Sequence, residues 1–131
     1  MIQFRSDITP TTEEIIEVYN SSGINRPTQD KARIQQMYAN SNLIVTAWEA
    51  GQLIGISRAL TDFCYCCYLS DLAVKKEYQQ LGVGKMLVQQ TKEILGEQVA
   101  LILLAAPTAM EYYPKLGFEK IENGFIVKRK K

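Results

Sequence analysis

LSDLAVKKEYQQLGVGKM, residues 69–86, decides how this 131-residue chain reads. The residues from Leu69 to Val74 form a strand, a charged loop follows, and Gly82 and Gly84 open an amphipathic helix. A strand that feeds a glycine-rich helix start is a way to build an anion site. Glycine lets a ligand approach the backbone closely. The first amides of a helix have no partner within it, and the helix dipole favours negative charge there. The segment therefore predicts a phosphate-bearing ligand.

Elimination narrows the ligand. A Walker A loop needs G-x-x-x-x-G-K-[ST]. Gly84 and Lys85 fit, but Gln79 holds the first glycine position and Met86 the hydroxyl position. A dinucleotide fingerprint needs G-x-G-x-x-G, and Leu87 stands at its third glycine. What remains is Gln79-x-x-Gly82-x-Gly84. It resembles motif A, [RQ]-x-x-G-x-[GA], of the GCN5-related N-acetyltransferases. A second stretch, Tyr112-Tyr113-Pro114-Lys115-Leu116-Gly117-Phe118, resembles that family's A-x-x-[FY]-Y-x-K-x-G-F ending, with Ala109 at its alanine. The order of elements matches over nearly the whole chain. One departure is Ala106, where the family often carries asparagine.

Composition bounds the alternatives. A chain of 131 residues suits one domain, spanning residues 1–131, and 47% hydrophobic with 22% charged residues is ordinary for a globular protein. A net charge of +1 gives no global field to steer nucleic acid or an anionic membrane. No apolar run approaches the ~20 residues that span a bilayer. The opening residues, MIQFRSD, lack a signal peptide's apolar centre, so a cytoplasmic protein is expected. The chain has no histidine, which excludes a Ser-His-Asp triad and a histidine base or zinc ligand. Cys64, Cys66 and Cys67 are too clustered for a disulfide framework. On a strand they split between two faces and cannot converge on one metal, so no metal is expected.

Periodicity orders the rest. Residues 2–5 read as an edge strand. Thr11 and Glu14 suit a capping box before a helix carrying Ile15, Val18 and Tyr19, which stops near Gly23. A second helix is expected from Thr28 to about Asn40. Strands follow over 43–48 and 53–60, then a long one over 64–74. The helix after Gly84 is expected to bury Met86, Leu87, Gln90, Ile94 and Leu95 on one face. The run 99–104 suits a strand buried on both faces. A short helix over 107–115 precedes a last hairpin over 118–128 that turns near Asn123-Gly124. Pro114 is expected to discourage helical geometry at Tyr113.

This order predicts an α/β fold with a mixed, mainly antiparallel sheet of six to seven strands and helices on both faces. The resemblance implies the acyl-CoA N-acyltransferase fold, in which the fourth and fifth strands splay and the pantetheine arm of acetyl-CoA lies in the gap. It implies an N-acetyltransferase in which a primary amine attacks the thioester directly in a ternary complex. The rival reading is a non-catalytic acyl-CoA-binding or sensor domain.

By position, Leu72, Ala73 and Val74 would pair with the pantetheine amides as an added strand does. The loop from Gln79 through Gln80, Leu81, Gly82, Val83 and Gly84 to Lys85 would hold the pyrophosphate. Tyr113 takes the place of the family's acidic tyrosine. With an ordinary pKa of ~10, it is protonated at neutral pH and can protonate a leaving thiolate. Tyr112 is expected to face away into the core. Asp71 and Asp62 are candidates for taking the ammonium proton, directly or through water. Ser70, expected opposite Asp71, Asp62 and Arg26 are the candidate acceptor contacts. The partner expected is a small-molecule or protein amine, with a homodimer plausible because a sheet edge needs cover.

Overall fold

The computed structural model describes all 131 residues. Its elements run β1 (Ile2–Arg5), α1 (Thr12–Ser22), α2 (Lys31–Ala39), β2 (Leu43–Glu49), β3 (Gln52–Thr61), β4 (Cys66–Val74), α3 (Val83–Leu95), β5 (Ala100–Leu103) and α4 (Tyr112–Lys115), with 3-10 turns at Lys76–Tyr78 and Pro107–Ala109. The sheet has five strands in the order β1-β2-β3-β4-β5. Neighbours are antiparallel except β4 and β5, which are parallel and joined by the α3 crossover.

Alternation along the strands feeds two cores. Val45, Ala47, Ala59 and Leu69 meet Leu87, Val88 and Leu95 of α3 on one face. Ile44, Ile56 and Ala73 meet Ile15, Val18 and Tyr19 of α1 and Ile34 of α2 on the other. Leu87 and Ile34 are completely buried, each worth roughly 1.5–3 kcal/mol in transfer from water. The capping box forms: Thr11 Oγ1 accepts from the Glu14 amide at 3.1 Å, and the Thr11 amide donates to Glu14 Oε1 at 2.9 Å. No helix is long and apolar enough to cross a membrane.

β4 changes face part-way. Cys67 and Leu69 point to the α3 core, yet Asp71 and Ala73, of the same parity, point to α1. The register slips between Arg58 and Ala59, so Ser70 has no partner on β3 and forms a bulge. Ser70 therefore does not oppose Asp71; its hydroxyl donates to Asp71 Oδ1 at 3.1 Å.

Several expectations give way. The sheet has five strands rather than six or seven, because residues 118–128 form no hairpin. β5 is an edge strand with Ala100 exposed and Ile102 44% exposed, not a strand buried on both faces. α3 buries Val83, Gly84, Leu87, Val88, Thr91 and Leu95, while Met86 and Ile94 face solvent. The buried stripe runs through Thr91, whose hydroxyl is satisfied there by the Leu87 carbonyl and Ser57. α2 begins at Lys31, capped by the Asp30 carboxylate. β4 begins at Cys66, because Asp62 Oδ1 gathers the amides of Cys64, Tyr65 and Cys66 into a tight turn. Pro114 is tolerated in the first turn of α4, where a missing N–H costs nothing, so Tyr113 is helical.

Candidate active site

The β4–β5 ladder runs from Cys66↔Ala100 to Leu69↔Leu103 and stops. β4 continues to Val74 with β3 on one side and no strand on the other. From Ser70 onward its edge away from β3 has no strand partner, and at its end Val74 approaches Gly84 at the N-terminus of α3.

That helix start differs from the other two long ones. Thr11 caps α1 and Asp30 caps α2, but no side chain caps α3. Its N-cap is Gly82, at φ 85°, in the left-handed region that favours glycine. Gln80 also adopts positive φ, 68°, so the loop turns its backbone in a way side chains rarely accept. Successive amides in such a conformation form an anion-binding concavity. Gln79 is occupied otherwise: its Nε2 donates to the Val74 carbonyl at 3.0 Å and pins the loop to β4. Val83 supplies only backbone, since its side chain lies in the core. Leu81 and Lys85 face solvent at the rim.

Gly84 is buried, and a Cβ there would lie 2.5 Å from the Tyr112 hydroxyl and 3.8 Å from a Val74 methyl. Tyr112 thus lies over the helix start and does not pack into the core, which corrects the sequence expectation. Its ring meets Tyr113 edge-on at 5.2 Å, and Tyr113 meets Phe118 edge-on at 5.6 Å. Burial pushes the Tyr113 hydroxyl above its ordinary pKa, the neighbouring Tyr112 adds to this, and the positive charge of Arg26 pulls it partly back. Tyr113 is therefore a phenol that holds its proton, packed beside Tyr112, which lies over the helix start.

Under the bulge lies a closed polar knot. Asp71 is 1% exposed. Its Oδ1 accepts from Arg26 Nε at 2.7 Å and from Ser70; its Oδ2 accepts from Arg58 Nε at 2.7 Å and from Tyr19 at 2.6 Å. Tyr38 bonds the Tyr19 hydroxyl, and Arg58 also reaches Ser41 and Ser70. Burial alone would raise the Asp71 pKa, but the Arg58 hydrogen bond and charge, then Tyr19 and Arg26, hold it below the usual carboxylate range. Burial is also the main reason the Tyr19 and Tyr38 pKa values rise. Asp71 is thus an anion with its lone pairs filled, and it is corrected from candidate base to structural anchor. Asp62 fails as a base for another reason: three backbone amides hold its pKa far below the carboxylate range.

Arg26 is the outward end of this knot. Its Nη2 donates to the Ser70 carbonyl at 2.8 Å and its Nη1 to the Asn25 carbonyl at 2.7 Å. Its side chain is 28% exposed. Two guanidiniums share one carboxylate, so one positive charge is left over at the bulge. Sequence reading missed the knot's other members, Tyr19, Tyr38 and Arg58. Only Arg58, a charge within the apolar run LIGISRAL, left a signal.

A family model described as an acetyltransferase (GNAT) domain matches residues 9–129. The chain belongs to the GNAT acetyltransferases. The uncharacterized N-acetyltransferase ycf52 of Pyropia yezoensis is 27% identical over 118 residues, covering 85% of this chain and 66% of that protein. The chain thus spans somewhat under two thirds of the length of such relatives. Histone acetyltransferase TAP1 of Glycine max is 33% identical over 78 residues, 58% of this chain and 34% of that one. A solved structure from meticillin-resistant Staphylococcus aureus, a probable acetyltransferase, superposes with TM-score 0.83 at 26% identity, covering 98% of this chain and all of that one. AAC(6')-Iy, solved with a bisubstrate analogue built on CoA, superposes with TM-score 0.73 at 17% identity over 99% of each chain and shares the fold.

Proposed function

We propose that this GNAT domain transfers the acetyl group of acetyl-CoA to a primary amine by direct attack in a ternary complex. The observation that carries this reading is the free β4 edge running from the bulge to the one long helix whose N-terminus has no side-chain cap. The residues suit the co-substrate: the edge at Leu72 and Val74 offers backbone partners to its amides, while Ala73, in step with the Lys75 amide that donates to the Ile54 carbonyl, turns its backbone groups to β3, and residues 80–85 offer amides to its pyrophosphate. Gln79 takes the Val74 carbonyl, so Val74 contributes its other edge contacts only. Acetyl-CoA supplies an activated acyl group on a thiolate leaving group.

The chain's own residues then divide the work. Tyr113 donates its phenolic proton to the departing sulfur; its raised pKa keeps that proton in place until it is needed. Tyr112 lies on Gly84 and positions the helix that carries Tyr113. The amine's proton leaves to water, since Asp71 and Asp62 are both held as weak bases. Arg26, with the surplus charge, favours an acceptor bearing a carboxylate near its amine.

A panel of amines with and without a carboxylate, incubated with acetyl-CoA and read by thiol release, tests the reading. Turnover is expected on at least one primary amine, with carboxylate-bearing amines preferred. The same should hold with Cys64 and Cys66 changed to Ser. An acetylated cysteine with burst kinetics would mean a covalent route instead.

A further inference from the structure

We infer, resting on the transferase reading above, that the acceptor is a free α-amino acid with an apolar side chain, and that Leu60 and Tyr68 form the surface that reads this side chain. On the sheet face that carries α1 and α2, the helical cover stops part-way along β3. Ile56 is packed under α1, and Arg58 lies against the Tyr38 ring of α2 and is 7% exposed. Two residues further on, Leu60 is 40% exposed. Leu60 pairs with Tyr68 of β4, and Tyr68 with Ile102 of β5. Ala59, Cys67, Leu69, Leu101 and Leu103 belong to the α3 side, so Leu60, Tyr68 and Ile102 all point the other way. Tyr68 and Ile102 are 41% and 44% exposed. Three adjacent strands thus present a bare apolar row, the kind of surface that marks a binding site.

Charge beside this row fixes what else the ligand carries. Arg26 spends three of its five N–H groups, on Asp71, on the Asn25 carbonyl and on the Ser70 carbonyl. Two N–H groups and the knot's surplus charge remain, a match for a carboxylate. The Arg58–Asp71 pair of the knot and the Leu60–Tyr68 pair are successive rows on one face, about 7 Å apart. That spacing suits one residue's reach from its carboxylate to the end of its side chain.

The amine then has one place to go. Arg26 Nη2 lies 2.8 Å from the carbonyl of Ser70, the residue at which β4 loses β5 as a partner. In an α-amino acid the carboxylate, amine and side chain diverge from a single carbon. With the carboxylate on Arg26 and the side chain on Tyr68, the amine faces the open edge of β4, where the transferase reading puts the thioester. A peptide N-terminus carries an amide in place of that carboxylate and leaves the Arg26 charge unmatched.

Thiol release from acetyl-CoA by the full chain is compared for L-phenylalanine, glycine, phenylethylamine and a tripeptide amide that begins with phenylalanine. L-phenylalanine is expected to lead in kcat/KM, by about tenfold over glycine, the low end for an apolar contact because the row is half-exposed. Leu60→Ser combined with Tyr68→Ser is expected to collapse the phenylalanine-to-glycine ratio through KM. Glycine or phenylethylamine matching phenylalanine overturns the amino-acid assignment and leaves the transferase reading standing. A preference for the peptide, or a ratio unchanged in a folded double variant, overturns it equally. Calorimetry of the same four amines, with the chain saturated in CoA, separates the two claims. Preferential phenylalanine binding without thiol release from any amine removes the transfer and keeps the amino-acid site; neither binding preference nor release removes both. The four-amine comparison needs only the parent chain, so it decides even if the double variant does not fold.

Discussion

The knot beneath the bulge and the loop before α3 are built on opposite rules. Around Asp71 every buried polar side-chain atom has a partner, and none is left over anywhere in the interior. At α3 the helix begins with no side-chain cap, while α1 and α2 are both capped. The first arrangement fixes a shape. The second leaves hydrogen-bond donors for something that is not part of the chain. Satisfied groups hold the fold, and unsatisfied ones mark where the fold acts. Substitutions at four positions separate the two regions.

The largest effect is expected at Asp71. Asp71→Ala leaves Arg58, 7% exposed, and Arg26 without their shared carboxylate. Losing one side of a buried pair costs roughly 3–5 kcal/mol, so urea unfolding should shift by that amount. The pH dependence has a definite sign. Asp71's pKa is lower in the folded chain than its ordinary 3.8, so its stabilisation is complete above about pH 4 and fades as pH falls below that. The parent should lose stability on acidification through this window, and Asp71→Asn should show a flatter acid limb. If Asp71→Ala unfolds at the parent's midpoint, the knot is not the scaffold.

Tyr113→Phe should act on rate alone. The ring, its contacts with Tyr112 and Phe118, and the CoA affinity stay; the proton donor goes. A loss on the order of 10²-fold in kcat is expected, the low end for a general acid, because a thiolate already leaves fairly well. Acyl donors with a more acidic thiol should narrow the gap. Parent-like turnover in the variant would make Tyr113 a packing residue.

Gly84→Glu should act on binding. Even a methyl group meets the Tyr112 hydroxyl, and the added carboxylate repels a pyrophosphate. Calorimetry should show CoA affinity reduced at least about tenfold, equal to about 1.4 kcal/mol. Unchanged affinity in a folded protein would remove the phosphate-loop assignment.

Thr11→Ala supplies the control from a capped helix. Losing the Thr11 side of the box should cost about 1 kcal/mol of stability, visible in thermal melts, with no change in CoA binding.

Most of the frame was legible in the sequence because its signals are local. The capping box at Thr11, the switch from helical to strand period near Leu43, and the glycines at 82 and 84 each depend on a few adjacent residues. The proposed phosphate loop and the role proposed for Tyr113 rest on short motifs. The errors lay where distant parts decide. Tyr112 and Tyr113 are neighbours of one residue type, and only the packing of α4 against α3 shows which lies over Gly84. Asp71 was a candidate base because it lies on the strand beside the predicted thioester. Arg26, Arg58 and Tyr19 come from three other segments and make it an anchor.

Sequence alone determined the order of elements from β1 to β5 and the two apolar faces of the central strands, since these follow from side-chain period and backbone freedom. Tertiary structure decided the rest. The bulge at Ser70 reversed the face of β4 in mid-strand, which no alternation pattern reveals. It turned Asp71 inward to two arginines and left one charge over at Arg26. The same logic applies at residues 118–128, whose β-like pattern forms no strand here. A strand needs a partner at the right distance and register, and that condition is set by the assembled sheet rather than by the segment itself.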